Sequence, residues 1–339
     1  MSPIATKIYL VSSGNIDTII AEAVGVLHAG GLVAFPTETV YGLGADAFNA
    51  EAVKNVFEAK GRPSDNPLIV HIADIHQFDD IGKNISSDAR KLAETFWPGP
   101  LTLVVEHDGK IPDIVTAGLQ TVAVRVPNHS VTLQLIKAFG RGIVGPSANL
   151  SGKPSPTTAQ HVYNDLNGSV AIILDAGPTI IGVESTVLDM TTGPPTILRL
   201  GCLAREEIER IVGTIQVSSS DEALKRSPGT RHRHYAPRAQ VEIIDEGNHE
   251  QFTKRIESYR QQGKKVGCIV HSLVFPHTPQ SSVRLVKKEE YAQHLFDSLL
   301  QVDDMNVDVI LVECIPDVGI GEAVMDRLRK AAEKMKKSR

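Results

Sequence analysis

Lys60 and Arg62 stand two residues apart, with Gly61 between them. Inside a continuous helix, side chains at that spacing diverge. Gly61 stops the helix, so both cations can turn towards one anion. The ammonium is a compact point charge, and the planar guanidinium grips phosphate through two N–H bonds at once. The pair suits a polyphosphate, although a lysine at a helix C-terminus is also favourable through the helix dipole alone. Further polar groups accompany it. Thr37, Thr39 and Tyr41 follow a short apolar strand, where hydroxyls either stabilise a turn or meet a ligand. His71 closes an apolar strand, as a packed side chain or as a donor to a carboxylate, and Asn66 lies just upstream. Thr121 and Arg125 share one face of a strand, because faces alternate with period two. Arg125 interrupts an apolar run, and burying it without a partner would be costly. A substrate carboxylate would satisfy it; a place on a sheet edge would avoid the cost. Ser147 and Asn149, two apart in an extended turn, can converge on ribose, phosphate or an amino acid. Ser155 and Thr157 precede a helix start, and helix N-termini attract phosphate. Ser185 and Arg199 occupy later strand ends.

These residues have to be positioned by alternating strands and helices over the first two hundred residues. Strands are expected at 8–11, 32–35, 68–70, 101–106, 122–126, 171–174, 186–188 and 196–198. Helices are expected at 16–28, at 50–60 with Asn49 as N-cap and Gly61 at C′, and at 87–97 before Pro98-Gly99-Pro100. Thr157 and Gln160 form a candidate capping box ahead of a helix over 161–166. The alternation is irregular, with Pro and Gly at many strand ends, which points to a mixed α/β sheet. Periodicity disappears between about 217 and 238. There Ser227-Pro228-Gly229 is loop chemistry, while Arg231-His232-Arg233-His234-Tyr235 is basic and aromatic, unlike an inert spacer. That segment reads either as a linker whose tyrosine packs between domains or as a lid closing a ligand off from water. From Val241 onwards, strands at 241–244, 265–270 and 309–312 alternate with helices at 249–261, 291–300 and 322–334, the pattern of a small Rossmann-like domain. It lacks a Gly-x-Gly-x-x-Gly turn after its first strand, and Gly319-Ile320-Gly321 follows its last strand without a third glycine, so dinucleotide binding is not expected.

Length and composition narrow the function classes. A chain of 339 residues is long enough for two domains with separate cores. A formal charge of −5 advertises no global field for nucleic acid. Three cysteines far apart in sequence argue against a disulfide framework or a zinc site, and Asp and His are scattered without ligand spacing. No signal peptide and no apolar run of the ~18 residues needed to span a bilayer is seen. A cytoplasmic protein without membrane contact is expected. No Gly-x-Ser-x-Gly elbow supports a serine nucleophile.

The motifs themselves resemble a known family. Pro36-Thr37-Glu38-Thr39-Val40-Tyr41-Gly42, Lys60-Gly61-Arg62, Pro146-Ser147-Ala148-Asn149 with Ser151-Gly152, Glu184-Ser185-Thr186 and Ile197-Leu198-Arg199 are similar to segments of the YrdC-type threonylcarbamoyl-AMP synthases. Ser227-Pro228-Gly229 and His234-Tyr235-Ala236-Pro237 resemble the linker of that family's long, two-domain form. The resemblance implies a twisted, partly open YrdC-like mixed sheet over residues 1–216, a linker or lid over 217–240 and a smaller Rossmann-like domain over 241–339. It implies that L-threonine, bicarbonate and ATP give threonylcarbamoyl-AMP and pyrophosphate. The product would pass to proteins that transfer the threonylcarbamoyl group to tRNA. Lys60 and Arg62 would carry the catalytic charge. Thr39, His71, Arg125, Ser147 and Ser185 would hold threonine. Arg62, Asn66, Thr121, Asn149, Thr157, Arg199 and Tyr235 would hold the nucleotide, and Mg2+ would ride on the ATP phosphates. A competing reading is an RNA-binding module, with Lys60, Arg62, Arg125 and Arg199 cradling a phosphate backbone. The acidic net charge and the lack of RNP-like aromatic motifs count against it as the main role.

Overall fold

A computed structural model describes residues 4–218, 220, 226–228, 235–272 and 282–333. The chain divides into two compact units, one made of residues 1–151 and 155–232, the other of 152–154 and 233–339.

The first unit is built on a sheet of twelve strands among the described residues. In chain order these are β1 (Lys7–Leu10), β2 (Val33–Phe35), β3 (Gly42–Asp46), β4 (Ile69–His71), β5 (Gly82–Lys83), β6 (Leu101–His107), β7 (Thr121–Arg125), β8 (Ile143–Val144), β9 (Ile172–Asp175), β10 (Thr186–Asp189), β11 (Thr196–Arg199) and β12 (Gln216–Val217). Their spatial order is β1-β9-β2-β3-β8-β4-β7-β6-β10-β11-β12, with β5 on β6. Parallel pairs such as β4·β7 and β6·β10 alternate with antiparallel ones such as β6·β7, so the sheet is mixed. Among the described residues eight helices accompany it: α1 (Ile16–His28), α2 (Ala50–Lys60), α3 (His76–Ile81), α4 (Ser87–Phe96), α5 (Asp113–Thr116), α6 (Ser130–Phe139), α7 (Ala159–Leu166) and α8 (Arg205–Val212).

Side-chain alternation decides where polar groups can appear. One face buries Leu43, Val70, Leu103 and Val124 in a large core with α2 and α4. The other face carries two separate apolar clusters. Val33, Phe35, Ile143 and Ile172 pack under α1 and α6. Ile69, Val104, Ala123, Val187 and Leu198 form a second, smaller group. His71 and Arg125 follow Ile69 and Ala123 by two residues, so they project from this second face, where apolar packing is interrupted.

Most of the expected elements are found within two residues of the expected ends; the helix expected over 291–300 runs four residues longer. The capping box is one correction. Thr158, not Thr157, caps α7, its Oγ1 accepting the His161 N–H at 3.2 Å. The very short strands β5, β8 and β12, the strand β3 and the helices α3, α5, α6 and α8 were not anticipated. β3 reads Gly-Leu-Gly-Ala-Asp, with little β-branched signal.

The second unit has a four-stranded parallel sheet in the order β13-β16-β14-β15, formed by β13 (Gln240–Ile244), β14 (Val266–Val270), β15 (Ser282–Leu285) and β16 (Val309–Glu313). Helices α9 (His249–Gln261), α10 (Tyr291–Asp304) and α11 (Ile320–Ala332) complete a Rossmann-like arrangement. At the C-terminal strand ends, where such sheets usually receive ligands, Glu313 is fully buried. Its carboxylate accepts the N–H groups of Gly247 (3.0 Å), His271 (2.8 Å) and Ser272 (3.0 Å), and the Ser272 hydroxyl. Burial works to raise its pKa, but the hydrogen bonds from Ser272, Gly247 and His271 outweigh it and hold the carboxyl below the usual glutamate range.

Candidate functional site

The C-terminal ends of β4 and β7 and the N-terminal ends of β6 and β10 meet at one edge of the polar face, because β6 runs antiparallel to β7 and β10 parallel to β6. His71 and Arg125 are direct neighbours in the β4·β7 register. The Arg125 guanidinium is pinned from three sides. Nε donates to the Gly99 carbonyl at 3.0 Å, Nη1 to Thr39 Oγ1 at 3.1 Å, and Nη2 lies 2.7 Å from Glu38 Oε2. Thr37 Oγ1 donates to the Val40 carbonyl at 2.6 Å, so the 2.8 Å bond between the two hydroxyls has Thr39 as donor. This chain fixes the strand-end turn and orients Thr39 towards Arg125. Beside the substrate carboxylate expected at Arg125, the protein supplies a carboxylate of its own, Glu38, which the motif contained but which received no separate role.

His71 is buried and its Nδ1 makes no hydrogen bond. Its ring stands edge-on to Phe35, with centroids 5.7 Å apart. Gly145 lets the neighbouring backbone close on that ring, since a Cβ there would lie 2.6 Å from His71 Nδ1. Burial, then the charge of Arg125, push the imidazole pKa down to about 3. At neutral pH it is an uncharged hydrogen-bonding group and a weak base.

Lys60 is delivered by the capped end of α2. Asn49 accepts the Glu51 and Ala52 N–H groups at 3.1 and 3.3 Å, and Val53, Val56 and Phe57 anchor the apolar face. Gly61 then adopts φ +57, ψ +35, a left-handed cap that the absence of a Cβ permits, and Arg62 N–H returns to the Phe57 carbonyl at 2.9 Å. The Lys60 ammonium reaches the carbonyls of Ser147 and, at 2.7 Å, Asn149. Two acceptors leave one of its three protons for a ligand. Burial, then the neighbouring Arg62, lower its pKa well below the lysine value, with Asp165 opposing. Arg62 turns back over the same loop, its Nη2 donating to the Pro67 carbonyl at 3.2 Å and the Asn66 carbonyl at 3.4 Å. The carbonyls that Lys60 contacts carry no formal charge, so an anion brought beside the ammonium would favour its charged form. Lys60 thus faces the Ser147–Asn149 turn.

Ser185 and Arg199 form a second polar group. Arg199 Nη2 donates to the Ser185 carbonyl (2.9 Å) and Oγ (3.1 Å), and the Ser185 hydroxyl lies 2.8 Å from Thr102 Oγ1. Arg199 Nη1 also donates to the Pro228 carbonyl at 3.1 Å, and Arg226 Nη1 lies 3.1 Å from the fully buried Asp189. Residues 226–228 of the expected linker are therefore anchored to the first unit, an arrangement that no motif announced. Residues 229–234, including the basic run 231–234, lie outside the described residues.

Three further residues were expected at the nucleotide. Thr121 begins β7, opposite Glu106, and four residues of extended chain put it ~13 Å from Arg125. Thr157 is buried, with its backbone N–H on His161 Nδ1 at 3.3 Å. Tyr235 belongs to the second unit. Its ring stacks on Phe296 at 5.3 Å, with the Arg327 guanidinium 5.4 Å from its centroid, and its φ of +65 is strained for a non-glycine residue. Among the described residues, no three His, Cys, Asp or Glu side chains are grouped to hold a metal ion, and no helix is long and apolar enough to cross a membrane.

Known proteins share this organisation. A family model described as "Telomere recombination", covering Sua5, YciO and YrdC sequences, matches residues 25–201. A second, described as "Threonylcarbamoyl-AMP synthase, C-terminal domain", matches residues 203–333. A threonylcarbamoyl-AMP synthase of Pyrococcus abyssi is 48% identical over 320 residues, covering 91% of this chain and 93% of its own length. One from Bacillus subtilis is 48% identical over 328 residues, covering 93% of each. The crystal structure of Pyrococcus abyssi Sua5 complexed with L-threonine superposes with a TM-score of 0.87 at 46% identity, covering 97% of both chains.

Proposed function

The chain belongs to the Sua5–YciO–YrdC family in its two-domain form, and from that membership we propose that it is a threonylcarbamoyl-AMP synthase, joining L-threonine, bicarbonate and ATP with release of pyrophosphate. The observation that carries the reading is the buried Lys60 ammonium, held by the carbonyls of Ser147 and Asn149, with the half-buried Arg62 two residues on. A polyphosphate would meet both cations, the ammonium as a point charge and the guanidinium through paired N–H bonds.

Arg125 binds the threonine carboxylate, with Thr39, His71, Ser147 and Ser185 around it. His71, being neutral, acts as a hydrogen-bonding partner and not as the base. The threonine amine takes up the one-carbon unit of bicarbonate with loss of water, and the resulting carbamate carboxylate attacks the α-phosphate and displaces pyrophosphate. Lys60 and Arg62 stabilise charge on the triphosphate and on departing pyrophosphate, so the protein contributes mainly positioning and charge. Asn66, Thr121, Asn149, Thr157 and Arg199 hold the nucleotide. Mg2+ arrives with ATP as part of the substrate. Segment 217–240 serves as linker or lid; its residues 226–228 are held on Arg199 and Asp189. The adenylate passes to tRNA-modifying transferases in the cytoplasm.

The test mixes protein, ATP, Mg2+, labelled bicarbonate and threonine, omitting each in turn. Labelled adenylate that needs every component supports the reading. Salt-dependent RNA binding with no threonine-dependent pyrophosphate release would replace it with the RNA-binding alternative.

A further inference from the structure

Glu38 is an acidic residue inside a run of buried positions, with its side chain only 2% exposed. Its Oε2 is 2.7 Å from Arg125 Nη2, a distance that pairs the charges without the alignment of a hydrogen bond, and its Oε1 receives no donor. A buried carboxylate left in that condition is costly and normally collects donors. Arg125 is comparably incomplete. Two of its five N–H groups donate to Gly99 and Thr39, and three remain, two of them on the Nη2 that pairs with Glu38 by charge alone. Ammonium and carboxylate groups are what these two unfinished partners lack. An isolated guanidinium would attract any small anion. A guanidinium beside an equally buried carboxylate is close to neutral as a pair, and a bare anion gains little there.

We propose that Glu38 is a positioning and specificity residue: it fixes Arg125 for the substrate carboxylate and makes the pair complementary to a zwitterionic amino acid instead of a bare acid. This rests on the reading that Arg125 holds threonine. The same pair explains why burial of Arg125 is tolerated before substrate arrives, since either charge alone would be unpaired.

The test uses the full chain and two ligands, threonine and 3-hydroxybutyrate, which is threonine without its ammonium. In wild-type protein, 3-hydroxybutyrate should compete at least about tenfold more weakly than threonine binds, the equivalent of one good polar contact. Glu38→Gln keeps the size and removes the charge. It should raise the threonine KM about tenfold, leave the ATP KM within about twofold, and shrink the threonine-to-3-hydroxybutyrate ratio. Glu38→Asp keeps the charge on a shorter arm, so it should raise the threonine KM while the ratio persists. A ratio unchanged in folded Glu38→Gln, with only a lower melting temperature, overturns the proposal. If Glu38→Gln does not fold, an unaltered threonine KM in Glu38→Asp overturns it, as does near-equal competition by 3-hydroxybutyrate in wild-type protein. Complete absence of threonine-dependent turnover in the wild type would sink the enzymatic reading itself, a separate outcome.

Discussion

Glu313 and Glu38 are both carboxylates buried at strand ends, one in each unit, and the chain treats them in opposite ways. Glu313 collects three backbone N–H groups and a hydroxyl, so its charge is fully spent on holding three strand ends together. Glu38 has one misaligned guanidinium, and the Arg125, His71 and Lys60 groups around the same edge all keep hydrogen-bonding capacity unused. Since most buried polar groups in native proteins are satisfied, a completed cluster reads as architecture and an incomplete one as a place awaiting a ligand. The Rossmann-like unit has the strand-end crevice usual for nucleotides, but its own glutamate occupies the donors there. The mixed-sheet unit has no phosphate-loop glycines, yet buries a lysine whose carbonyl partners carry no formal charge.

That contrast can be broken most strongly at Lys60. Lys60→Ala should cut threonylcarbamoyl-AMP formation by about a hundredfold, the usual cost of one preorganised donor, with melting behaviour little changed. Normal turnover in a folded Lys60→Ala protein would remove the ammonium from the site. At the other pole, Glu313→Ala strands several buried donors and should cost on the order of 3 kcal/mol of stability by denaturant titration. Turnover per folded molecule should stay within about twofold. A large fall in turnover without a fall in stability would mean that the second unit's cluster is not merely structural.

His71 sharpens the comparison through pH. Its folded pKa, about 3, lies below the ordinary histidine value of 6.5, so the unfolded chain binds the proton first as pH falls. Stability should therefore decline from about pH 6.5 towards pH 3, by at most about 1.4 kcal/mol per pH unit from this group. His71→Gln should flatten that slope; an unchanged slope would show that His71 does not remain neutral in the folded protein.

The positions of Lys60, His71 and Arg125 were legible in the sequence because each depends on local signals: a capped helix ending in glycine, and polar residues closing apolar strands. Ser147 and Asn149 were legible as a pair, but it is their carbonyls, not only their side chains, that meet Lys60, and sequence does not reveal which backbone groups a long side chain will find. Glu38 was hidden for a related reason. Its partner is 87 residues away, and β3, β8 and β4 separate β2 from β7 in the sheet, so nothing local to the turn after β2 announces that it reaches Arg125. The anchoring of residues 226–228 was equally invisible, since a Ser-Pro-Gly stretch signals a turn and says nothing of what receives it. Short strands such as β8 escaped because two residues carry no periodicity.

The most direct measurement is a crystal structure of the full chain with threonine and a non-hydrolysable ATP analogue bound together. The account predicts the threonine carboxylate within about 3.2 Å of Arg125 and the triphosphate within the same reach of Lys60 or Arg62. Ligands bound elsewhere, with Arg125 and Lys60 keeping only the protein partners described above, would contradict it.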